Sequence, residues 1–215
     1  MERIICILIG YVFGLFQTGY IYGRLNHIDI RQYGSGNAGT TNALRVLGKK
    51  AGIITYLGDA IKAILAGVVV RLIFGESHAD MLTLLVVYTG LGVVFGHNYP
   101  FYLGFKGGKG IAATSGMLVA IDWRLALCCA VIFLVVVLIS RYVSLSSLCM
   151  MTGFTILLII GGQTGQYGMS APHLYELYIV GAVMTVQAFV KHKANIGRLL
   201  KGTENKLWGN KKETK

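Results

Sequence analysis

The sequence predicts an all-α fold: a polytopic bundle of about seven membrane-spanning helices, N-terminus outside and C-terminus cytoplasmic. Three observations carry this. Of 215 residues, 54% are hydrophobic and only 13% charged, against roughly 45–50% and about 25% in a soluble domain. Mean hydropathy is +0.62. The charges that exist collect in short loops between long apolar runs. A soluble enzyme, a disordered chain and a coiled coil are all disfavoured. The net charge of +11 would suggest nucleic acid in a soluble protein. In a membrane protein it reflects the positive-inside bias or a site for anionic substrates, so no nucleic-acid partner is expected.

A helix needs about 20 apolar residues to cross the hydrocarbon core. Runs over 4–23, 53–74, 81–96, 125–140 and 145–162 satisfy this, and 174–190 is a sixth despite Glu176. The N-terminus lacks a basic n-region and a small-residue cleavage site, so it reads as the first span and not a removed leader. Between Lys109 and Asp122 lies IAATSGMLVAI, too short to span alone but suited to a short or tilted buried helix. Counting it decides the charge arithmetic. With seven spans the inner segments hold Arg24, Arg31, Arg45, Lys49, Lys50, Lys106, Lys109, Arg141 and the tail; the outer ones hold Arg3 and Arg124 beside Glu2, Glu76, Asp80 and Asp122. Residues 1–190 form one transmembrane domain and 191–215 a basic cytoplasmic tail. Cys6, Cys128, Cys129 and Cys149 lie in apolar runs without metal or disulfide spacing, and read as small buried hydrophobes.

The polar residues gather in three inner loops and the tail. Residues 28–50, IDIRQYGSGNAGTTNALRVLGKK, contain a GxGxxG match that lacks the strand–helix context of a dinucleotide fold. Close glycines still let backbone N–H groups converge on an anion. Ser35, Asn37, Thr40, Thr41 and Asn42 add donors, and Arg45 adds charge suited to phosphate. The competing reading is a juxtamembrane loop whose arginines meet anionic lipid. Residues 96–110, GHNYPFYLGFKGGKG, resemble a phosphate loop but not a Walker A motif: Leu103 replaces its first glycine and Gly110 its Ser/Thr. Two lysines there are either an anion cradle or snorkelling side chains. His97 reads as a base, an oxyanion donor or a structural cap. Residues 140–147, SRYVSLSS, offer serines that commonly satisfy span-end carbonyls. In the tail, His192 and Asn195 share a helical face, against the alternative of an amphipathic lipid anchor. Asp59 and Lys62, three residues apart within a span, are expected to pair, and Arg71 to snorkel at the outer end of that span.

Together, GSGNAGTTN with Arg45, GHNYPFYLGFKGGKG and RYVSLSS, in this order, resemble the bacterial membrane-integral glycerol-3-phosphate acyltransferase family that uses acyl phosphate as donor. GDAIK around Asp59 and the tail KHKANIGRLLKGTE fit too, with Thr40 and Ala63 as small departures. The resemblance implies a helical bundle in the bacterial plasma membrane with its active site at the cytoplasmic face. It would transfer a fatty acyl group from acyl phosphate to the 1-hydroxyl of sn-glycerol 3-phosphate, giving lysophosphatidic acid and phosphate. No His/Cys/carboxylate cluster has ligand spacing, so no metal is expected; no cofactor and no obligate protein partner are expected either. Ser35, Gly36, Asn37, Thr41, Gly107, Gly108 and Lys109 would hold the acyl-phosphate phosphate; Arg45, Lys106, Ser144, His192 and Asn195 would bind glycerol 3-phosphate. The expected catalytic set is Ser35, Asn37, Arg45, Lys106, Ser144, His192 and Asn195; Gly36, Gly39, Thr41, His97, Gly107, Gly108 and Lys109 are expected to bind substrate. No histidine has an aspartate five residues on, since those positions hold Tyr102 and Gly197, so the His-x4-Asp base of another acyltransferase class is missing. The competing class is an organic-phosphate transporter coupled through Asp59 and Lys62.

Overall fold

The computed structural model describes residues 1–208; the rest of the predicted tail, 209–215, lies outside the described residues. The described chain is helical: α1 (Glu2–Gly14), α2 (Thr18–Leu25), α3 (Thr40–Phe74), α4 (Leu82–Asn98), α5 (Ile111–Ile121), α6 (Trp123–Ser140), α7 (Val143–Gln163), α8 (Ala171–Lys191) and α9 (Lys193–Leu200). Short 3₁₀ turns at Ile30–Gln32, Ala79–Met81 and Phe101–Leu103 join them. Counting α1–α2 as one, six segments are long and apolar enough to span. Each apolar run found in the sequence is present, and the chain is an integral membrane helical bundle.

Helix association in lipid rests on close packing, because the tails are as apolar as the side chains. α1 and α4 show this most clearly. A Cβ added to Gly10 would lie 2.1 Å from Thr89 O, one on Gly92 2.2 Å from Ile7 O, and one on Gly96 2.2 Å from Tyr11 O. Only glycines allow these two backbones to touch. α4 is the buried axis of the bundle, with Leu84, Leu85, Val87 and Val93 fully enclosed. Met117, Met151, Phe154, Leu158, Leu177 and Met184 pack around it from α5, α7 and α8.

Several expectations need correction. The first span is not continuous: the helix stops at Gly14 and restarts at Thr18, leaving carbonyls to be satisfied by side chains. Half of the predicted loop 28–50 is helical, since α3 begins at Thr40 and turns sharply at Gly48, whose φ of 86° lies in the left-handed region. Arg71 does not snorkel to water; its guanidinium donates to Ala120 O at 2.7 Å and Ile121 O at 3.2 Å, capping α5. Cys128 is exposed on the lipid side of α6 and Cys149 is half-buried, so only Cys6 and Cys129 are buried hydrophobes.

α5 positions the site. Its 11 residues rise about 16 Å at 1.5 Å per residue, about half the hydrocarbon thickness. Its C-terminus is joined directly to α6 through Asp122, which accepts from Arg124 N–H at 2.6 Å. Its N-terminus therefore opens within the bundle, at the floor of a recess that the long helices surround.

Candidate active site

That recess is a cavity of about 550 Å³. Its first wall is the segment before and into α3. Asn42, buried there, donates to Ile30 O at 3.1 Å and Tyr33 O at 3.0 Å, and accepts Ser35 N–H at 2.8 Å. All its polar capacity is internal, so Asn42 shapes the wall and is not a free ligand donor. Asn37 Oδ1 accepts Gly39 N–H at 2.9 Å, a local Asx turn. These two asparagines hold Ser35, Gly39, Thr41 and Arg45 along the cavity, while Arg45 stays exposed at the rim.

The second wall is the glycine-rich loop and the start of α5. Gly107 N–H donates to Asn98 O at 3.3 Å and Gly108 N–H to His97 O at 3.1 Å. A Cβ on Gly107 would sit 2.0 Å from His97 O, and one on Gly108 2.1 Å from His97 Nε2. These glycines are required for close seating on α4, with their amides engaged internally. Beyond them, Lys109, Gly110, Ile111 and Ala112 line the cavity. Gly110 is the N-cap of α5 at φ 82°, and no side chain caps the helix. A helix N-terminus facing a cavity is a site for negative charge.

The third wall combines α7, α9 and the segment after α9. Ser146 and Ser147 return their hydroxyls to Tyr142 O at 2.9 Å and Val143 O at 2.8 Å, as span-end serines do. Ser144 differs: it donates to Glu204 Oε1 at 3.1 Å. Asn195 Nδ2 donates to the same oxygen at 2.7 Å, and Arg198 Nε to Glu204 Oε2 at 2.6 Å. Lys109 Nζ donates to Asn195 Oδ1. Burial alone would raise the Glu204 pKa; hydrogen bonds from Asn195, Arg198 and Ser144 outweigh it and hold the carboxyl below the usual range. The segment is pinned by Leu207 N–H to Arg141 O at 2.8 Å.

His192 is buried and lines the cavity. Its Nδ1 lies 2.8 Å from Ala188 O. A carbonyl only accepts, so Nδ1 carries the proton and the neutral ring presents Nε2 as an acceptor. Burial, aided by Lys109, pushes its pKa down to about 4, against the opposing Ala188 hydrogen bond and Glu204 carboxylate. At the inner end, Asp59 and His97 also line the cavity. The expected Asp59–Lys62 pair forms at 2.9 Å.

Thus ten of the fourteen residues singled out from the sequence line one cavity: Ser35, Asn37, Gly39, Thr41, Arg45, His97, Lys109, Ser144, His192 and Asn195. Gly36, Lys106, Gly107 and Gly108 do not line it, and Lys106 is exposed. The sequence reading missed Glu204 and Arg198. A signal for Glu204 existed, as the lone acid among the basic residues of 191–208. From the polar chamber an apolar slot continues past Leu118, Val119, Ala126, Ala130, Phe133 and Leu134. Val119, Ala130 and Leu134 are exposed on the lipid side, so the slot is open laterally.

The family model described as Glycerol-3-phosphate acyltransferase matches residues 4–202. A glycerol-3-phosphate acyltransferase of Alkaliphilus metalliredigens is 41% identical over 208 residues, covering 96% of this chain and 97% of that one. One of Clostridioides difficile is 40% identical, covering 98% and 97%. The fold is similar to the crystal structure of PlsY, an integral membrane glycerol 3-phosphate acyltransferase, in its glycerol 3-phosphate form: TM-score 0.83, 30% identity, 97% and 96% covered. The lysophosphatidic acid form gives 0.80 at 29% identity, with 96% and 95% covered. The chain belongs to the glycerol-3-phosphate acyltransferase family.

Proposed function

We propose that this protein transfers a fatty acyl group from acyl phosphate to the 1-hydroxyl of sn-glycerol 3-phosphate, releasing lysophosphatidic acid and inorganic phosphate. The observation that carries the reading is the single cavity that joins a donor-rich chamber to a lateral apolar slot. The slot takes the fatty chain. The open N-terminus of α5 and Lys109 take the phosphate of the donor, with Ser35 and Asn37 opposite. Arg45 at the rim takes the phosphate of the acceptor, joined by Ser144 and Asn195 once that phosphate displaces the Glu204 carboxylate to which both donate. Gly107 and Gly108 serve this reading through the position of the loop, and Gly36 through the turn it makes at φ 70°.

His192 Nε2 accepts the hydrogen bond of the 1-hydroxyl and orients its oxygen toward the acyl carbonyl. The new ester C–O bond forms, the C–O bond to phosphate breaks, and the hydroxyl proton leaves with the phosphate. Acyl phosphate is a mixed anhydride with a good leaving group, so positioning and charge stabilisation suffice. A base with a pKa of about 4 suits orientation better than proton storage.

The distribution of charge between the two ends of the bundle supports an orientation. Arg3 pairs with Glu176 and Gln166 with Asp122, placing the starts of α1, α6 and α8 at one end. The chamber, Arg24, Arg141 and α9 lie at the other. We assign the chamber end to the cytoplasm of a bacterial plasma membrane, with α5 as the seventh, half-length crossing.

Purified protein in detergent, given acyl phosphate and glycerol 3-phosphate with EDTA present, should release phosphate and form lysophosphatidic acid. A folded protein that forms none, yet exchanges organic phosphate across sealed vesicles, would overturn the reading in favour of transport.

A further inference from the structure

The cluster on which the glycine-rich loop rests contains an ammonium that no step above uses. Lys62 is 6% exposed and lies within α3. Its Nζ donates to Asp59 Oδ1 at 2.9 Å and to Phe16 O, and lies 3.4 Å from Gly14 O, which already accepts from Gln17 Nε2, so one of its three N–H donors is left over. It also lies 2.9 Å from His97 Nδ1. Paired with the Asp59 carboxylate, Lys62 is the ammonium and has no lone pair, so its remaining N–H meets His97 Nδ1 as the acceptor, 3.7 Å from that carboxylate oxygen. The His97 proton is therefore on Nε2, the atom that a Cβ on Gly108 would approach to 2.1 Å.

The rest of the cluster holds this arrangement in place. Thr18 Oγ1 donates to Asp59 Oδ1 at 3.2 Å. Gln17 Nε2 donates to His97 O at 3.0 Å and Gly14 O at 3.2 Å. The interruption between α1 and α2 thus supplies the carbonyls that orient Lys62. His97 O in turn receives Gly108 N–H at 3.1 Å. One ammonium fixes one imidazole, and the loop backbone lies against that imidazole immediately before Lys109 and the N-terminus of α5.

We infer that Lys62 is a positioning residue for the donor-phosphate site, acting through His97: it holds the ring as its Nε2–H tautomer, against which Gly108 seats the loop that presents Lys109 and the start of α5. The inference rests on the acyl-phosphate reading for its kinetic consequence, but not for its structural one. Removing Lys62 alone strands a buried carboxylate. The chosen variant is therefore the double substitution Asp59→Asn with Lys62→Met, which removes both charges.

The test has two arms. In the first, ¹⁵N-histidine spectra are recorded in detergent without substrate; His97→Gln identifies the His97 signals among the five histidines. The wild type should show a protonated Nε2 and an unprotonated, hydrogen-bonded Nδ1, and the double variant a mixture of tautomers. In the second arm, the double variant, with its thermal unfolding checked, should lose at least tenfold in kcat/KM. The loss should appear in KM for acyl phosphate, with KM for glycerol 3-phosphate within twofold of wild type. A wild-type His97 protonated on Nδ1 overturns the inference even if the double variant fails to fold. So does a folded double variant with wild-type kinetics, or one whose two KM values rise together. If the wild type itself formed no lysophosphatidic acid, the functional reading would fall while the tautomer result stood.

Discussion

Lys109 donates to the side-chain carbonyl of Asn195, 86 residues further along the chain. The glycine-rich loop and the tail helix α9 therefore meet over the cavity through this hydrogen bond. Asn195 passes the link on to Glu204, so the two inner-face segments behave as one donor array.

Lys109 gives that array a pH dependence. Burial pushes its pKa down to about 8, partly offset by the Glu204 carboxylate and reinforced by Arg198, Lys191 and Arg45. The ammonium is the form that binds phosphate, so kcat/KM should fall as pH rises through about 8, because this ratio reports the free enzyme. Lys109→Arg keeps its charge throughout that range and should lose the alkaline limb. The same limb in both proteins would assign it to another group.

His192→Ala should lower kcat/KM at least about tenfold, or 1.4 kcal/mol of transition-state stabilisation. Asn195→Ala should do similarly, and the double variant should fall short of the sum because both act on one ligand. Steady-state kinetics at low and high salt, with thermal unfolding as control, checks this. If the tail served as a lipid anchor, His192→Ala would be silent and high salt would abolish the contribution of Lys193 and Lys201.

Arg45 stands at the rim and can meet phosphate with two parallel N–H donors, which lysine cannot reproduce. Arg45→Lys should raise KM for glycerol 3-phosphate several-fold and leave KM for acyl phosphate within twofold. The reverse pattern, measured by varying each substrate in turn, would exchange the two phosphate assignments.

Single cysteines introduced at Ser77 and Gln166 should react with an impermeant thiol reagent on intact cells, and those at Ser35 and Thr203 should not. Reaction at Ser35 from outside would invert the orientation.

The spans were legible because each is a long apolar run, and the three polar loops because the chain has so little charge elsewhere. The interruption at 15–17 was not legible: Leu15 and Phe16 are as apolar as their neighbours, and the break is stabilised by Lys62 from another helix. Ser144, Ser146 and Ser147 look alike in sequence, and only the arrival of Glu204 on the returning tail distinguishes Ser144. Lys106 and Lys109 share a motif, yet the turn at Gly104, with φ 63°, leaves the first exposed and the second half-buried. Local pattern identified the elements, whereas contacts between distant elements selected which of their residues face the cavity.

The slot between α5 and α6 opens toward lipid at Val119, Ala130 and Leu134, and this sets the units in which the enzyme meets its donor. On the proposed reaction, an acyl phosphate dissolved in the bilayer would arrive sideways and lysophosphatidic acid would depart the same way, neither leaving the leaflet. The relevant donor concentration is then a mole fraction in the membrane plane. At fixed bulk concentration, adding inert detergent or lipid should slow turnover by surface dilution, while saturation by glycerol 3-phosphate stays governed by its molarity in water.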